Sequence, residues 1–120
     1  MTKAKENNMK VAISSTMEGR GASVSDVFAR CPYFIIAEIA DGKIQNLKTV
    51  KNINANQPGQ AGISAAKLMA EKGINAVITK NVGPRALDIL KQFDIAIYYG
   101  SGETEKVLQE FINGKLKTIN

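Results

Sequence analysis

The chain has one cysteine, Cys31, and no histidine. Histidine is the commonest general base and the commonest metal ligand near neutral pH, so its absence leaves Cys31, the one thiol, as the side chain to weigh as a soft anionic ligand. What the sequence does supply is a set of small, polar and glycine-rich stretches: Ser14-Ser15-Thr16, Gly59-Gln60-Ala61-Gly62, Asn81-Val82-Gly83-Pro84 and Gly100-Ser101-Gly102. Each falls at a strand exit or a helix entrance, where backbone N–H groups can approach a guest. Arg30, next to Cys31, and Arg85, next to Pro84, add guanidinium groups. This is the chemistry of holding an anion, with no catalytic constellation beside it.

Each of these residues also has a plainer role. Cys31, just before Pro32-Tyr33-Phe34, is either a metal ligand or a small buried hydrophobe. Arg30 can lower the thiol pKa, pair with an anion, or bond Asp26 at helical i, i+4 spacing. Arg85 meets an anion at a helix start or is a solvated surface residue. Gly62, Gly83, Gly100 and Gly102 serve turn geometry or ligand approach. Two nucleotide-binding patterns fail outright: Gly59 through Lys67 lacks the Gly-Lys-Ser/Thr ending of a phosphate loop, and the dinucleotide fingerprint is absent.

The elements that must position these residues follow from periodicity. Residues 1–8 read as a disordered, solvated tail, and order begins at Met9 with the apolar run Lys10-Val11-Ala12-Ile13. Val24 to Arg30 is expected to form a helical turn with Val24, Val27 and Phe28 on one face. Tyr33 to Ala40 and Lys43 to Val50 flank Asp41-Gly42, the preferred pair for a two-residue type I′ hairpin. Ile44, Leu47 and Val50 break strict alternation, which predicts a bulge, and Lys43, Lys48 and Lys51 mark an edge strand protected against aggregation.

From Ala61 the period becomes helical, with Ile63, Ala66, Met69 and Ala70 as the apolar stripe and Gly73 as the left-handed stop. Ile74 to Thr79 is a buried strand. The next helix starts at Pro84 and turns Leu87, Leu90 and Phe93 inward, Ile95 to Tyr99 is the last strand, and a third helix packs Val107, Leu108, Phe111 and Ile112 before Gly114. Strands alternating with helices imply parallel βαβ units, while the hairpin forces one antiparallel pairing. The expected fold is therefore a three-layer α/β/α domain over residues 9–120, with a mixed five-stranded sheet of order 3-2-1-4-5 and strand 2 reversed. That order gathers the four small-residue loops, Cys31 and two helix N-termini on one edge, beside a topological switch point between strands 1 and 4.

Composition limits the partners. A net charge of +5 is spread along the chain without a dense basic run or an aromatic–basic repeat, so a solvated surface is a better account than nucleic-acid binding. No signal-peptide h-region and no bilayer-length apolar run is present, and a lone cysteine fits a reducing compartment, so a cytoplasmic protein without membrane contact is expected.

Three blocks in order, Val24 to Phe34, Gly59-Gln60-Ala61-Gly62-Ile63 and Asn81-Val82-Gly83-Pro84-Arg85-Ala86, make the chain from Met9 to about Leu116 resemble the dinitrogenase iron–molybdenum cofactor biosynthesis or carrier family. The resemblance implies a ribonuclease-H-like fold and a nitrogenase-accessory role. It also implies binding or carrying an iron–sulfur or iron–molybdenum cluster without turnover, with a cluster donor or acceptor protein as partner. A nuclease of that fold would need several converging carboxylates, and Lys10 to Ser14 supplies none. Members often have His where this chain has Val27 and Gly where it has Ala29, which leaves Cys31 as the soft ligand. The cofactor-binding residues expected on this basis are Cys31, Arg30, Gly62, Asn81, Gly83 and Arg85, with Cys31 on the metal. One thiolate cannot fill a cluster's four protein positions, so a homodimer, free sulfide or thiol, or a partner protein must complete the set. The other reading is a metal-independent regulatory or interaction module that binds a small anion or a protein at the same edge.

Overall fold

The structure, a computed structural model, describes residues 8–19 and 21–119. The tail expected over residues 1–8 lies, apart from Asn8, outside that range. Chain order is β1 (Met9–Ser15), β2 (Tyr33–Ala40), β3 (Lys43–Lys51), α1 (Ala61–Glu71), β4 (Ala76–Thr79), α2 (Pro84–Gln92), β5 (Ala96–Tyr99) and α3 (Thr104–Ile112). The sheet runs β3-β2-β1-β4-β5, with β2 antiparallel to both its neighbours and β1, β4 and β5 mutually parallel. This is the strand order expected from the sequence. Among the described residues no helix is long and apolar enough to cross a membrane.

The hairpin forms because Asp41 and Gly42 both take positive φ, 55° and 74°, as a type I′ turn requires. Beyond it Glu38 faces Asn46 but Ile39 faces Ile44, so Gln45 is the extra residue of a bulge. The bulge explains the broken alternation: it returns Ile44 to the face that Leu47 occupies, while Val50, opposite Phe34, packs on the other.

Period-two alternation divides the core in two. Ala12, Phe34, Ile36, Val77 and Ile97 face α1 and α2, while Val11, Ile13, Ile35, Ala37 and Ile78 face α3. β1 and β4, paired on both sides and covered on both faces, are almost continuously buried.

All three helices end in the same way. The N–H groups of Ile74, Ile95 and Lys115 donate to Met69 O, Leu90 O and Glu110 O, each after a left-handed residue, Gly73, Asp94 or Gly114. Gly73 and Gly114 were expected in that position; the aspartate was not.

Three expectations of packing are corrected. The buried side of α1 is Ala61, Ala65, Ala66 and Met69, with Ile63 and Ala70 only half-buried. In α2, Ala86 and Leu90 are buried and Leu87 is half-buried, but Phe93 is 56% exposed. Phe93 is the helix's C-cap, and the left-handed turn at Asp94 sends Ile95 into the core in its place. Finally, 24–30 is not helical. Val24 bridges Ser15 and Ser23 bridges Glu103, so the segment runs extended across the sheet edge, with Val24 and Phe28 buried and Val27 exposed.

The two sheet edges differ. Beside β5, Thr118 bridges Tyr98, the Tyr99 N–H donates to Lys117 O at 2.8 Å and the Ile119 N–H donates to Ile97 O at 2.8 Å, so the chain's own last residues cover that edge. β3 ends the sheet on the other side with Lys43, Lys48 and Lys51 exposed, as the edge-strand reading requires.

Candidate functional site

Ser14 and Ser15 close β1, Thr79 closes β4, and all three are fully buried. The Ser14 hydroxyl donates to Thr79 Oγ1 at 2.8 Å across the point where the chain connections diverge. The topological switch point expected here is present, and Ala22–Phe28 lies over it as a strap. The Ser25 N–H donates to Ser14 O at 2.8 Å, Val24 N–H to Gly102 O at 2.8 Å and Phe28 N–H to Asn81 O at 2.9 Å, while Ala22 O accepts from the Thr104 N–H at 3.0 Å. The Asn81 carboxamide donates to Asp26 O at 3.0 Å, and Lys80 Nζ sits 3.1 Å from Asp26 Oδ1. The small-residue loops thus spend part of their hydrogen-bonding capacity on the strap. Lys80, which sequence reasoning passed over, and Asp26, considered there only as a partner for Arg30, belong to this fastening; no local pattern couples residues so far apart in the chain.

Beside the strap the starts of α1 and α2 abut. A Cβ at Gly62 would lie 3.4 Å from Ala86 Cβ and 3.8 Å from Ala29 Cβ, ordinary van der Waals distances, so the two helix starts lie close enough for small side chains to touch. Neither helix has a side-chain cap, with Gln60 and Gly83 at the cap positions, and neither carries an acidic residue in its first turn. The leading N–H groups and the positive ends of two helix dipoles therefore converge, and neither first turn supplies a carboxylate to neutralise them. Gly83 and Arg85 are exposed at the start of α2. Arg30 is exposed too, but its Nη1 donates to Ala55 O at 3.0 Å and Gln57 O at 3.3 Å, fixing the β3–α1 loop instead of bonding Asp26. Of the expected residues, Arg30, Gly62, Asn81, Gly83 and Arg85 lie on the loops and helix starts of this one edge.

Cys31 does not join them at the surface. It is 0% exposed, packed among Ala12, Phe28, Phe34 and Ala65, and its Sγ lies 3.3 Å from Phe28 O. The buried Asn52 carboxamide donates to Ala29 O at 3.0 Å and Cys31 O at 2.8 Å, which clamps the turn that folds the thiol inward. Burial pushes the thiol from 9.0 up to about 11, so it stays protonated at neutral pH. A protonated, enclosed thiol is not the accessible soft ligand that Cys31 was expected to be. Among the described residues, moreover, no three His, Cys, Asp or Glu side chains come together as a metal ion would need. Asn52, missed from sequence, carries no motif; its clamp exists only once β3 has been laid beside β2.

The shifted thiol has a measurable consequence. Because the folded state holds the proton more tightly, the stability it contributes is present below pH 9.0 and is lost as pH rises toward about 11. Wild type should therefore lose about 2 kcal/mol more than Cys31→Ala over that window, by urea unfolding at a series of pH values. Equal losses in the two proteins would show the thiol to be solvated. Alkylation by iodoacetamide at about pH 8 should likewise be far slower in the folded chain than in urea.

Comparison with known proteins agrees with the fold and places the chain. The profile of the family described as dinitrogenase iron-molybdenum cofactor matches residues 9–114. Two uncharacterized proteins of Methanocaldococcus jannaschii are similar in sequence: one is 35% identical over 95 residues, covering 78% of this chain and 80% of the relative. The other is 31% identical over 116 residues, covering 94% and 96%. A crystal structure of the latter superposes with a TM-score of 0.73 at 30% identity over 94% of this chain and 96% of that one. The apo form of the orange protein from Desulfovibrio gigas shares the fold, with a TM-score of 0.83 at 23% identity and 92% of each chain covered. With the family profile spanning every element from β1 to α3, the chain belongs to the dinitrogenase iron–molybdenum cofactor family.

Proposed function

We propose that this protein is a non-catalytic carrier of an anionic iron–sulfur or iron–molybdenum type cluster, held at the loop edge and passed between donor and acceptor proteins. The observation that carries the reading is the meeting of two uncapped helix starts at Gly62 and Ala86, with Arg85 exposed beside them and Arg30 on the neighbouring turn. Amides around Gly62 and Gly83 and two guanidinium groups offset negative charge, and Asn81 holds the strap and the β4–α2 loop in register. Since Cys31 is enclosed, the cargo in this reading brings its own sulfide or thiol ligands and is retained by charge and hydrogen bonds. The chain has no histidine and β1 no carboxylate, and the Asp26 carboxylate at this edge is paired with Lys80, which supports binding over acid–base turnover.

The test is anaerobic reconstitution with ferrous iron and sulfide, with and without molybdate, followed by gel filtration and counting of iron per chain. Wild type and Cys31→Ala are expected to retain equal iron and visible absorbance, and Arg30→Glu/Arg85→Glu to retain about a tenth as much. Loss of iron from Cys31→Ala alone would instead make the thiol a ligand reached by opening of the strap. A wild-type chain that leaves the column without iron, but carries a small anion in native mass spectrometry, would establish the metal-independent module.

A further inference from the structure

The sheet has one edge that the chain covers and one that it leaves bare. Lys117–Ile119 close β5, whereas β3 presents nine residues with no strand beyond them among the described residues. An edge strand of that length is a template for another strand. α3 packs over β1 and β4 but leaves β3 exposed beyond Ile44 on that face, and between the two lies a groove of about 280 Å³ floored by Ile13 and Ile35 and bordered by Leu47, Lys48, Thr49 and Leu108. Leu47, 47% exposed, is the large apolar side chain that β3 turns toward it.

We infer that β3 takes a further strand, supplied by an extended segment of another protein in which acidic and apolar residues alternate. The charge on the strand sets the first half of that pattern. Lys48 pairs with Ile36 of the core under α1 and α2, so its side chain leaves the face opposite that of Leu47 although the residue also borders the groove, and Lys43 and Lys51 stand at the two ends of the strand. Acidic side chains on that face of an added strand lie beside Lys48 and are attracted. The groove sets the second half. Leu47 and Thr49, opposite Ala37 and Ile35, face α3, where Glu105 at the rim repels acidic side chains and the apolar floor accepts aliphatic ones. Backbone pairing supplies affinity and the groove selects alternate side chains, which is how strand addition discriminates between peptides.

A second copy of this chain is the wrong partner. Antiparallel β3–β3 pairing about Leu47 would set Lys43 of each copy opposite Lys51 of the other, and a register centred on Lys48 would oppose that lysine to itself. Like charges directly across a ladder are unfavourable. The lysines that prevent self-association therefore select an acidic strand. The inference does not depend on what the loop edge carries, because β3 and its groove share none of Arg30, Gly62, Asn81, Gly83 or Arg85.

The test uses the full chain, isotopically labelled, and a capped peptide Glu-Val-Glu-Leu-Glu-Val-Glu, with a second peptide in which the central Leu is Pro and a third in which every Glu is Lys. The first peptide is expected to slow amide exchange in β3 alone and to shift the Leu47 and Leu108 methyl resonances. The Pro and Lys peptides should bind at least about tenfold more weakly. Lys43→Glu/Lys48→Glu, with the dispersed spectrum of a folded chain, should weaken the first peptide by a similar factor and improve the Lys peptide. Four results overturn the inference: no shifts at about 1 mM peptide, protection outside β3, equal binding of the Pro peptide, or equal binding by the charge-reversed variant. Sedimentation of the free chain as a dimer that Lys48→Glu disrupts would assign the edge to self-association and overturn it as well.

Discussion

Phe28→Ala is expected to remove about 3–5 kcal/mol of unfolding free energy, a large part of what a domain of this size possesses. The ring is fully buried, and it meets Phe34 at 5.5 Å between centroids with a 54° tilt. The same residue anchors the far end of the strap, donating its N–H to Asn81 O, and its carbonyl receives the Cys31 thiol. Truncation therefore opens a cavity next to Ala12, Ala65 and Cys31 and unpins the covering of the switch point. Urea unfolding measures the loss, and native-state hydrogen exchange of residues 22–28 locates it. Phe28→Leu, which keeps most of the volume, should cost about 1–2 kcal/mol. A loss under about 1 kcal/mol for the alanine variant would mean that the ring is not packed as described.

Gly100→Ala is the second large effect, and it arises from a single methyl group. An added Cβ would stand 2.5 Å from Ile78 Cγ2 and 2.7 Å from Val107 Cγ1. Both neighbours are fully buried and β-branched, so neither can rotate clear without entering the core around it. Relief requires α3 to move away from β4, at about 2–3 kcal/mol. Chemical unfolding of Gly100→Ala beside Gly100→Ala/Val107→Ala should show the double variant losing at least about 1 kcal/mol less than the sum of the single changes. Additive losses would place the strain elsewhere. Gly83→Ala, with nothing within 4 Å of the added carbon, should cost under about 1 kcal/mol, the difference between glycine and alanine at an N-cap.

These two positions show where the sequence could be read and where it could not. Asp41-Gly42, the lysines of β3, Pro84 at the head of α2 and Gly73 behind α1 all act through their own backbone or their nearest neighbours. Strand order followed from them together with the alternation of strands and helices. The fate of Val24, Val27 and Phe28 was different. Their spacing suits a helical turn as well as an extended strap, and the choice is made by acceptors at Ser14, Asn81 and Gly102 that no window of sequence contains. Cys31 is a similar case: its burial depends on Asn52 reaching back across β2. Gly100 and Gly83 carry the same letter in similar loops, yet only one of them faces a packed helix. At the candidate site the positions of Gly62 and Arg85 were legible from helix-start chemistry. That Gly62 lies where the two helix starts meet became visible only in three dimensions.

The strap also bears on the order of events in folding. Its contacts to β1 are local, but those to Asn81, Gly102 and Thr104 join it to segments that follow β4 and β5, so each of these closes a long loop and forms only once the parallel strands are side by side. Hairpin formation at Asp41-Gly42 is local and fast; strap closure is late. A segment fastened last and by few bonds is among the first to release below the threshold of global unfolding. Cys31 lies under its Phe28 end, so in the intact protein the thiol works as an internal clock of that release: how often it meets solvent is set by the strap's opening rate.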